Sequence, residues 1–98
     1  MTVVVTTNVI ARFRGFLASC MLEIAPGVYT APKMNKGVRN RLWIVLEDWF
    51  NCEPTGSIVM TWTDSTLTSG QGVASLGLPA KEIINYDGIF LVRKELKN

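Results

Sequence analysis

The order of apolar and polar positions predicts strands and helices along the whole chain. Residues 3–6 are three valines and a threonine, and this unbroken β-branched run predicts a central strand buried on both faces. Apolar residues then recur at helical spacing until Pro26-Gly27, which predicts a first amphipathic helix that ends there. The apolar positions of this helix are Ile10, Phe13, Leu17, Cys20, Met21 and Ile24. Asn8 or Thr7 precedes it, and we expect Asn8 to be its N-cap.

The second part of the chain predicts one more helix and a series of strands. A short strand at 28–31 comes first, and Asn35 then caps a helix that runs to about Cys52. Later segments rich in β-branched and other apolar residues predict further strands. These strands are expected at 57–63, 73–78 and 89–93, with a polar loop at 64–72 and a turn at Asp87-Gly88.

This order of elements predicts an α+β fold of the ferredoxin-like, βαββαβ type. Its mainly antiparallel sheet carries both helices on one face. We expect a single domain over residues 1–93, followed by a charged C-terminal tail at 94–98. A chain of 98 residues buries only a modest core, so the second face of the sheet needs a cover. A twin subunit is the expected cover, which predicts a homodimer.

The composition excludes several kinds of chemistry. The chain contains no histidine, which excludes Ser-His-Asp and Cys-His catalysis and every metal site with a histidine ligand. Cys20 and Cys52 form no CxxC motif and fall in predicted helices, so we expect buried free thiols and not a disulfide. No apolar run has the length of a membrane span or the character of a signal peptide. We therefore expect a soluble cytoplasmic protein.

The acidic residues give little indication of an enzyme. None shows the paired spacing of a two-metal site, and the neighbours Glu47 and Asp48 diverge by about 100° on a helix. Asp64 is a weak candidate metal ligand, because an aspartate just after a strand is more often a turn former. Gly70-Gln71-Gly72 lacks the lysine and third glycine of a phosphate-binding loop. The residues therefore predict no catalytic side chain.

The basic residues favour nucleic-acid binding. Residues 1–46 carry six basic side chains against one acid, whereas residues 47–98 carry four against seven. Arg12 and Arg14 lie on opposite sides of Phe13 at the start of the first helix, where the amides already favour phosphate. The other basic residues near a helix start are Lys36, Arg39 and Arg41. Scattered solvated charge is the alternative interpretation. Any binding should be driven by phosphates and largely indifferent to base sequence.

Several segments in order resemble one known family. They are VVVTTNV, RFRG, LEIAPGVYT, VRNRLW, IVMTW and LGLP with YDGIFLV. Together they span about residues 3–92 and resemble the type I-E branch of CRISPR-associated protein two, the small partner in spacer acquisition. No single segment is decisive, but their order makes chance an unsatisfactory explanation.

The resemblance implies a ferredoxin-like homodimer that bridges two dimers of the larger integrase subunit in antiviral defence. The assembly would hold a double-stranded DNA prespacer, and the metal-dependent transesterification would belong to the larger subunit. The positions that match basic residues of the family are Arg12, Arg14, Lys36 and Lys81, and Ala80 departs from it beside Lys81. Residues 94–98 resemble the segment through which this branch docks on its large partner.

The wider family is also described as metal-dependent nucleases that use an aspartate at the end of the first strand, where type I-E relatives usually have a glutamate. This chain has Thr7 there, with Asn8 beside it. A hydroxyl is a poor Mg²⁺ ligand, so we predict weak or absent nuclease activity and a scaffold that needs no cofactor. The alternatives are a Mg²⁺-dependent endonuclease acting on RNA or duplex DNA, and a regulatory module for a small ligand.

Overall fold

The protein folds into two helices and seven strands in a computed structural model that describes residues 1–77, 81–86 and 89–94, the last two segments by their backbone alone. The helices are α1 (Ala11–Cys20) and α2 (Lys36–Cys52). The strands are β1 (Thr2–Thr7), β2 (Leu22–Ala25), β3 (Val28–Ala31), β4 (Ser57–Thr63), β5 (Gln71–Leu76), β6 (Lys81–Tyr86) and β7 (Ile89–Lys94).

Five of the strands form one sheet, in the order β2-β3-β1-β4-β5. Every pairing in it is antiparallel, and Val4 in the central strand lies between Tyr29 of β3 and Met60 of β4. The first six elements follow the order βαββαβ, and their strands take the ferredoxin-like arrangement. The predicted α+β fold is therefore confirmed. β6 and β7 pair with each other as an antiparallel ribbon.

The core lies between the helices and one face of this sheet. Side chains alternate across a strand, so Val4 is fully buried on the helix side, whereas its neighbour Val5 is 40% exposed on the other side. The buried apolar residues form one cluster: Val4, Phe13, Leu17, Met21, Tyr29, Leu42, Leu46, Phe50, Ile58 and Met60. Burying this cluster fixes the positions of both helix N-termini relative to the sheet.

The first helix is shorter than its sequence pattern predicts. It ends at Cys20, because Met21 is already extended (φ −137°), and Leu22–Ala25 forms the edge strand β2. β2 joins β3 through the tight turn at Pro26-Gly27, where Gly27 has φ +77°. The prediction that the helix continues to Ile24 is wrong, since Ile24 lies in β2, where it is 60% exposed. Leucine, isoleucine and alanine suit a strand beside a good hairpin turn as well as they suit a helix.

The cysteines are free, as predicted, but they are not buried. Cys20 is exposed in the last turn of α1, and Cys52 is exposed in the last turn of α2. The buried position at the end of α1 belongs to Met21, which is 8% exposed. The expectation of buried thiols is therefore wrong, because Met21 takes the buried position beside Cys20 and Cys52 lies in the exposed last turn of α2.

Several predicted boundaries can be compared with the structure. The strand expected at 73–78 begins earlier, as β5 at Gln71, and Leu78 lies outside the described residues. The turn at 87–88 and residues 95–98 of the predicted tail also lie outside them. Among the residues that the structure describes, no helix is long and apolar enough to cross a membrane.

Candidate nucleic-acid interface

The first turn of α1 presents two arginines on either side of a buried aromatic residue. Phe13 is fully buried, whereas Arg12 and Arg14 are exposed. Residues two apart on a helix point about 200° from each other, so the guanidinium groups of Arg12 and Arg14 diverge. The predicted placement of these arginines at the start of the helix is confirmed.

Arg12 extends towards the second helix and stacks on an aromatic ring. Its guanidinium carbon lies 4.0 Å from the centre of the Trp49 ring. Trp49 in turn meets Phe13 edge-on, with 5.9 Å between ring centres, and Phe16, with 5.1 Å. The sequence pattern places Trp49 on the apolar stripe of α2, but nothing in it signals the contact with Arg12, which lies on another helix.

Arg14 extends towards the hairpin between β2 and β3. It borders two adjoining clefts, one lined also by Glu23 and the hairpin turn, and the other by the end of β1 with Asn8. Their volumes are about 380 and 310 Å³. Both are open and shallow, so they suit a phosphate oxygen at the surface better than an enclosed small molecule.

A buried tyrosine, Tyr29, lies close enough to Arg14 to interact with its charge. Tyr29 is fully buried and its hydroxyl has no hydrogen-bond partner. Burial, together with the nearby Glu23 carboxylate, raises the pKa of Tyr29 above its ordinary value, while the charge of Arg14 acts in the opposite direction. Tyr29 is therefore neutral near pH 7, and the charged groups at this cleft are Arg14 and Glu23.

The N-terminus of α1 has no capping side chain. The cap position is Ile10, so the prediction that Asn8 caps the helix is wrong. Asn8 has a left-handed backbone (φ +56°), and Ile10 is still extended before Ala11 begins the helix. Asn8 therefore turns the chain out of β1, which asparagine tolerates better than most residues. The first turn contains no acidic side chain either, so its amides retain their partial positive charge.

The N-terminus of α2 is the second basic helix start. Asn35 caps it as predicted, and its side-chain oxygen accepts a hydrogen bond of 2.9 Å from the amide of Val38. Lys36 and Arg41 are exposed, and the first turn again carries no acidic residue. Both helices therefore begin with exposed basic residues and no acid, although they differ in how they are capped.

Arg39 does not belong to this exposed set. The residue is 8% exposed, and its guanidinium carbon lies 4.4 Å from the centre of the Trp62 ring on β4. Its Nε is buried with no hydrogen-bond partner. The prediction that Arg39 contacts nucleic acid is therefore not supported, because a helical residue one turn after Asn35 faces the sheet. The side chain of Lys81, another predicted contact, lies outside the described residues.

A comparison with protein families identifies the family of this chain. The family model described as CRISPR-associated protein (Cas_Cas2CT1978) matches residues 1–91. The chain belongs to this family. The match spans both helices and all five strands of the main sheet of this Cas2CT1978 member.

The position where a nuclease of the wider family would carry an acid is polar but uncharged in this Cas2CT1978 chain. Thr7 is exposed at the end of β1, opposite Ser57 of β4. The nearby acid of the β2–β3 hairpin is Glu23, and one of its oxygens accepts a hydrogen bond of 3.2 Å from the amide of Gly27. Within the described part of the chain, no three cysteine or acidic residues are grouped so as to hold a metal ion.

Asp64, the weak candidate for a metal ligand, takes part in a turn. One carboxylate oxygen accepts hydrogen bonds from the Thr66 hydroxyl at 2.6 Å and from the Thr66 amide at 3.0 Å. These two bonds hold the pKa of Asp64 below its ordinary value. The preferred interpretation of Asp64 as a turn former is confirmed.

Proposed function

We propose that this chain is a non-catalytic scaffold of CRISPR spacer acquisition, of the type I-E kind. Two copies form a homodimer that binds the backbone of a double-stranded DNA prespacer and bridges two dimers of the larger integrase subunit. The larger subunit carries out the metal-dependent strand transfer. In this proposal, the contribution of the present chain is to hold and measure the duplex.

The observation that carries the proposal is the pair of arginines at the uncapped start of α1. Arg12 and Arg14 flank the buried Phe13, and the first turn of α1 has neither a capping side chain nor an acid. Phosphate oxygens bind guanidinium groups in bidentate fashion and are also favoured at helix N-termini. Arginine contacts of this kind hold the backbone of a duplex and do not read its base edges.

The face of the sheet opposite the helices supports a homodimer. Five valines from four neighbouring strands share this face: Val3, Val5, Val28, Val59 and Val73. The exposed leucine of β2, Leu22, lies in register with Thr30 on the same face and is 67% exposed. Thr30 and Thr61 lie among these valines, and a largely apolar exposed sheet face of this kind is typical of a protein–protein interface. A second copy would bury it and supply a second set of arginines for the same duplex.

The residues at the end of β1 do not fit a magnesium centre. Thr7 supplies a neutral hydroxyl where a carboxylate would be needed, and the carboxylate of Glu23 is already bonded to the Gly27 amide. We therefore derive no cleavage step through this site. A metal-dependent endonuclease is the alternative that the experiment below must exclude.

The decisive experiment compares duplex binding and spacer integration for the purified protein with and without the larger subunit. Replacing Arg12 and Arg14 together with alanine should weaken binding equally for all duplex sequences. The slope of log affinity against log salt should become shallower by about 0.9 for each phosphate that the variant no longer neutralises. The matched control, Arg12→Lys with Arg14→Lys, keeps the charge and should retain most of that slope.

Besides a failure to bind duplex, two results would overturn this proposal. Integration by the larger subunit alone, at the rate of the complete assembly, would show that this chain is not its scaffold. Cleavage of RNA or DNA by the purified chain that is abolished by a chelator would establish the nuclease instead. The integration assay and the cleavage assay use the same preparation, so the scaffold and the nuclease are tested on one sample.

A further inference from the structure

Trp49 of α2 packs against α1 beside the exposed side chain of Arg12. Its ring is half-buried against the core, and it contacts Phe13 at an interplanar angle of 76° and Phe16 at 64°. Two edge-on aromatic contacts from α1 restrict the rotation of the indole. The face of the indole that Arg12 covers therefore has a fixed orientation relative to the start of α1.

The stack on Trp49 leaves the hydrogen-bonding edge of Arg12 available. The guanidinium carbon of Arg12 lies over the indole, 4.0 Å from the ring centre, the position of an arginine that stacks on an aromatic face. In such a stack the five N–H donors lie in the guanidinium plane, at its edge, and not against the ring. A phosphate accepts hydrogen bonds from that edge, so the same arginine can stack on Trp49 and bind a phosphate at once.

The two arginines at the start of α1 are held differently. Arg12 has an aromatic platform, whereas Arg14 borders open clefts beside the β2–β3 hairpin. An exposed arginine samples many rotamers, and binding a phosphate would have to select one of them. Stacking restricts that freedom before the ligand arrives, which favours binding through pre-organisation.

We propose that Trp49 is a positioning residue for the contact between Arg12 and a DNA phosphate. The inference rests on the proposed function, and it assigns to a residue of the α2 core a role in the affinity for duplex. Trp49 touches no phosphate itself. It holds the guanidinium edge outward beside the uncapped amides of α1, where the helix dipole adds to the charge of Arg12.

A double-mutant cycle on duplex binding tests this role. Trp49→Leu in the otherwise unchanged protein should weaken binding by about fivefold, the effect of one exposed cation–π contact. In a protein that already carries Arg12→Ala, the same change should have no further effect. Trp49→Phe keeps an aromatic face and should restore part of the affinity, and it also serves if the leucine variant folds poorly.

Trp43 provides the matched control. It lies on the same helix and is also half-buried against the core, and its replacement by leucine removes a comparable volume. Trp43→Leu should change duplex binding by the same factor with or without Arg12. Circular dichroism and thermal unfolding of each variant separate a loss of fold from a loss of affinity.

The outcomes distinguish this inference from the proposed function. Equal effects of Trp49→Leu in both backgrounds would overturn the positioning role, while duplex binding by the unchanged protein would still support the scaffold. No duplex binding by the unchanged protein would overturn both. As a readout without DNA, the Arg12 Nε–H proton should shift downfield in Trp49→Leu, because it no longer experiences the ring current of the indole.

Discussion

Gly72 lies directly opposite Trp62 in the pairing of β4 with β5, and the indole occupies the space that a side chain at position 72 would need. A Cβ built on Gly72 would overlap the Cε2, Cζ2 and Nε1 atoms of the ring. The same ring also carries the guanidinium of Arg39. Gly72 on the outer strand therefore leaves room for the Trp62 ring that stacks against the buried Arg39.

This relationship predicts that Gly72→Ala destabilises the protein. The indole must move, and the stacked Arg39 restricts how far it can go, so we expect a loss of about 2 kcal/mol in the free energy of unfolding. Gly15→Ala is the control, since a Cβ there meets nothing within 4 Å. That substitution should stabilise α1 by about 0.5–1 kcal/mol. Urea unfolding of both variants measures the difference, and equal midpoints would contradict the packing of Trp62 over Gly72.

Arg39 and Lys36 should differ in their effect on DNA binding. Lys36→Met removes an exposed charge at the start of α2, and it should make the salt slope of duplex binding shallower by about 0.9 if that lysine contacts one phosphate. Arg39→Met removes a charge that is 8% exposed and stacked on Trp62, so the slope should stay unchanged. The two changes are matched in charge and lie on the same helix. A shallower slope for Arg39→Met would show that Arg39 does contact DNA.

The buried arginine shows what a sequence pattern reveals and what it does not. Regular apolar spacing predicts α2 and its cap at Asn35, because those features depend on neighbours along the chain. Whether Arg39 faces solvent depends instead on Trp62, which lies 23 positions away on a strand. In the same way, the order of basic residues finds Arg12, but only the packing of α1 against α2 brings Trp49 beneath it.

The end of α1 shows a second limit of prediction from the sequence pattern. Leu22–Ala25 fits a helix stripe and an edge strand equally well, and the choice follows from hydrogen bonds to β3 and from the turn at Gly27. The fold class is still predicted correctly, since the strands before and after this segment fix the sheet. The sequence leaves the role of Asn8 equally ambiguous, because both an N-cap and a left-handed turn favour asparagine.

The left-handed conformation of Asn8 gives a prediction that separates these two roles. Asn8→Gly should change the free energy of unfolding by no more than about 0.5 kcal/mol, since glycine accepts φ +56° without steric strain. Asn8→Val should cost about 1–2 kcal/mol. At the true cap, Asn35→Ala should cost about 1 kcal/mol. Denaturant unfolding compares the three variants. A large loss of unfolding free energy for Asn8→Gly would show that the Asn8 side chain caps the helix.

The turn at Asp64 predicts a measurable pH dependence. The hydrogen bonds from Thr66 favour the carboxylate, so the pKa of Asp64 is lower in the folded state than in the unfolded state. Its contribution to stability is therefore fully present above the unfolded pKa and is lost as the pH falls through the folded pKa. Thr66→Ala removes the hydroxyl donor and should raise the pKa of Asp64 towards its ordinary value. Carbon-detected NMR titration measures it, with Thr68→Ala as the control that should leave it in place.

The sheet face opposite the helices predicts the oligomeric state, and two valines of nearly equal exposure provide the test. Val5 is 40% exposed in the middle of the apolar face, and Val38 is 44% exposed on α2. If two copies meet through the sheet, Val5→Lys places a charge in the centre of the interface and should convert a dimer into a monomer. Val38→Lys adds the same charge on a helix and should leave the dimer intact.

Sedimentation equilibrium of the purified variants gives the masses. A monomeric unchanged protein, or a dimer that survives Val5→Lys but not Val38→Lys, would move the interface away from the sheet. A monomeric Val5→Lys variant that remains folded also permits a test of the duplex. With one set of arginines in place of two, its salt slope should fall to about half, because a single protomer then contacts half of the phosphates.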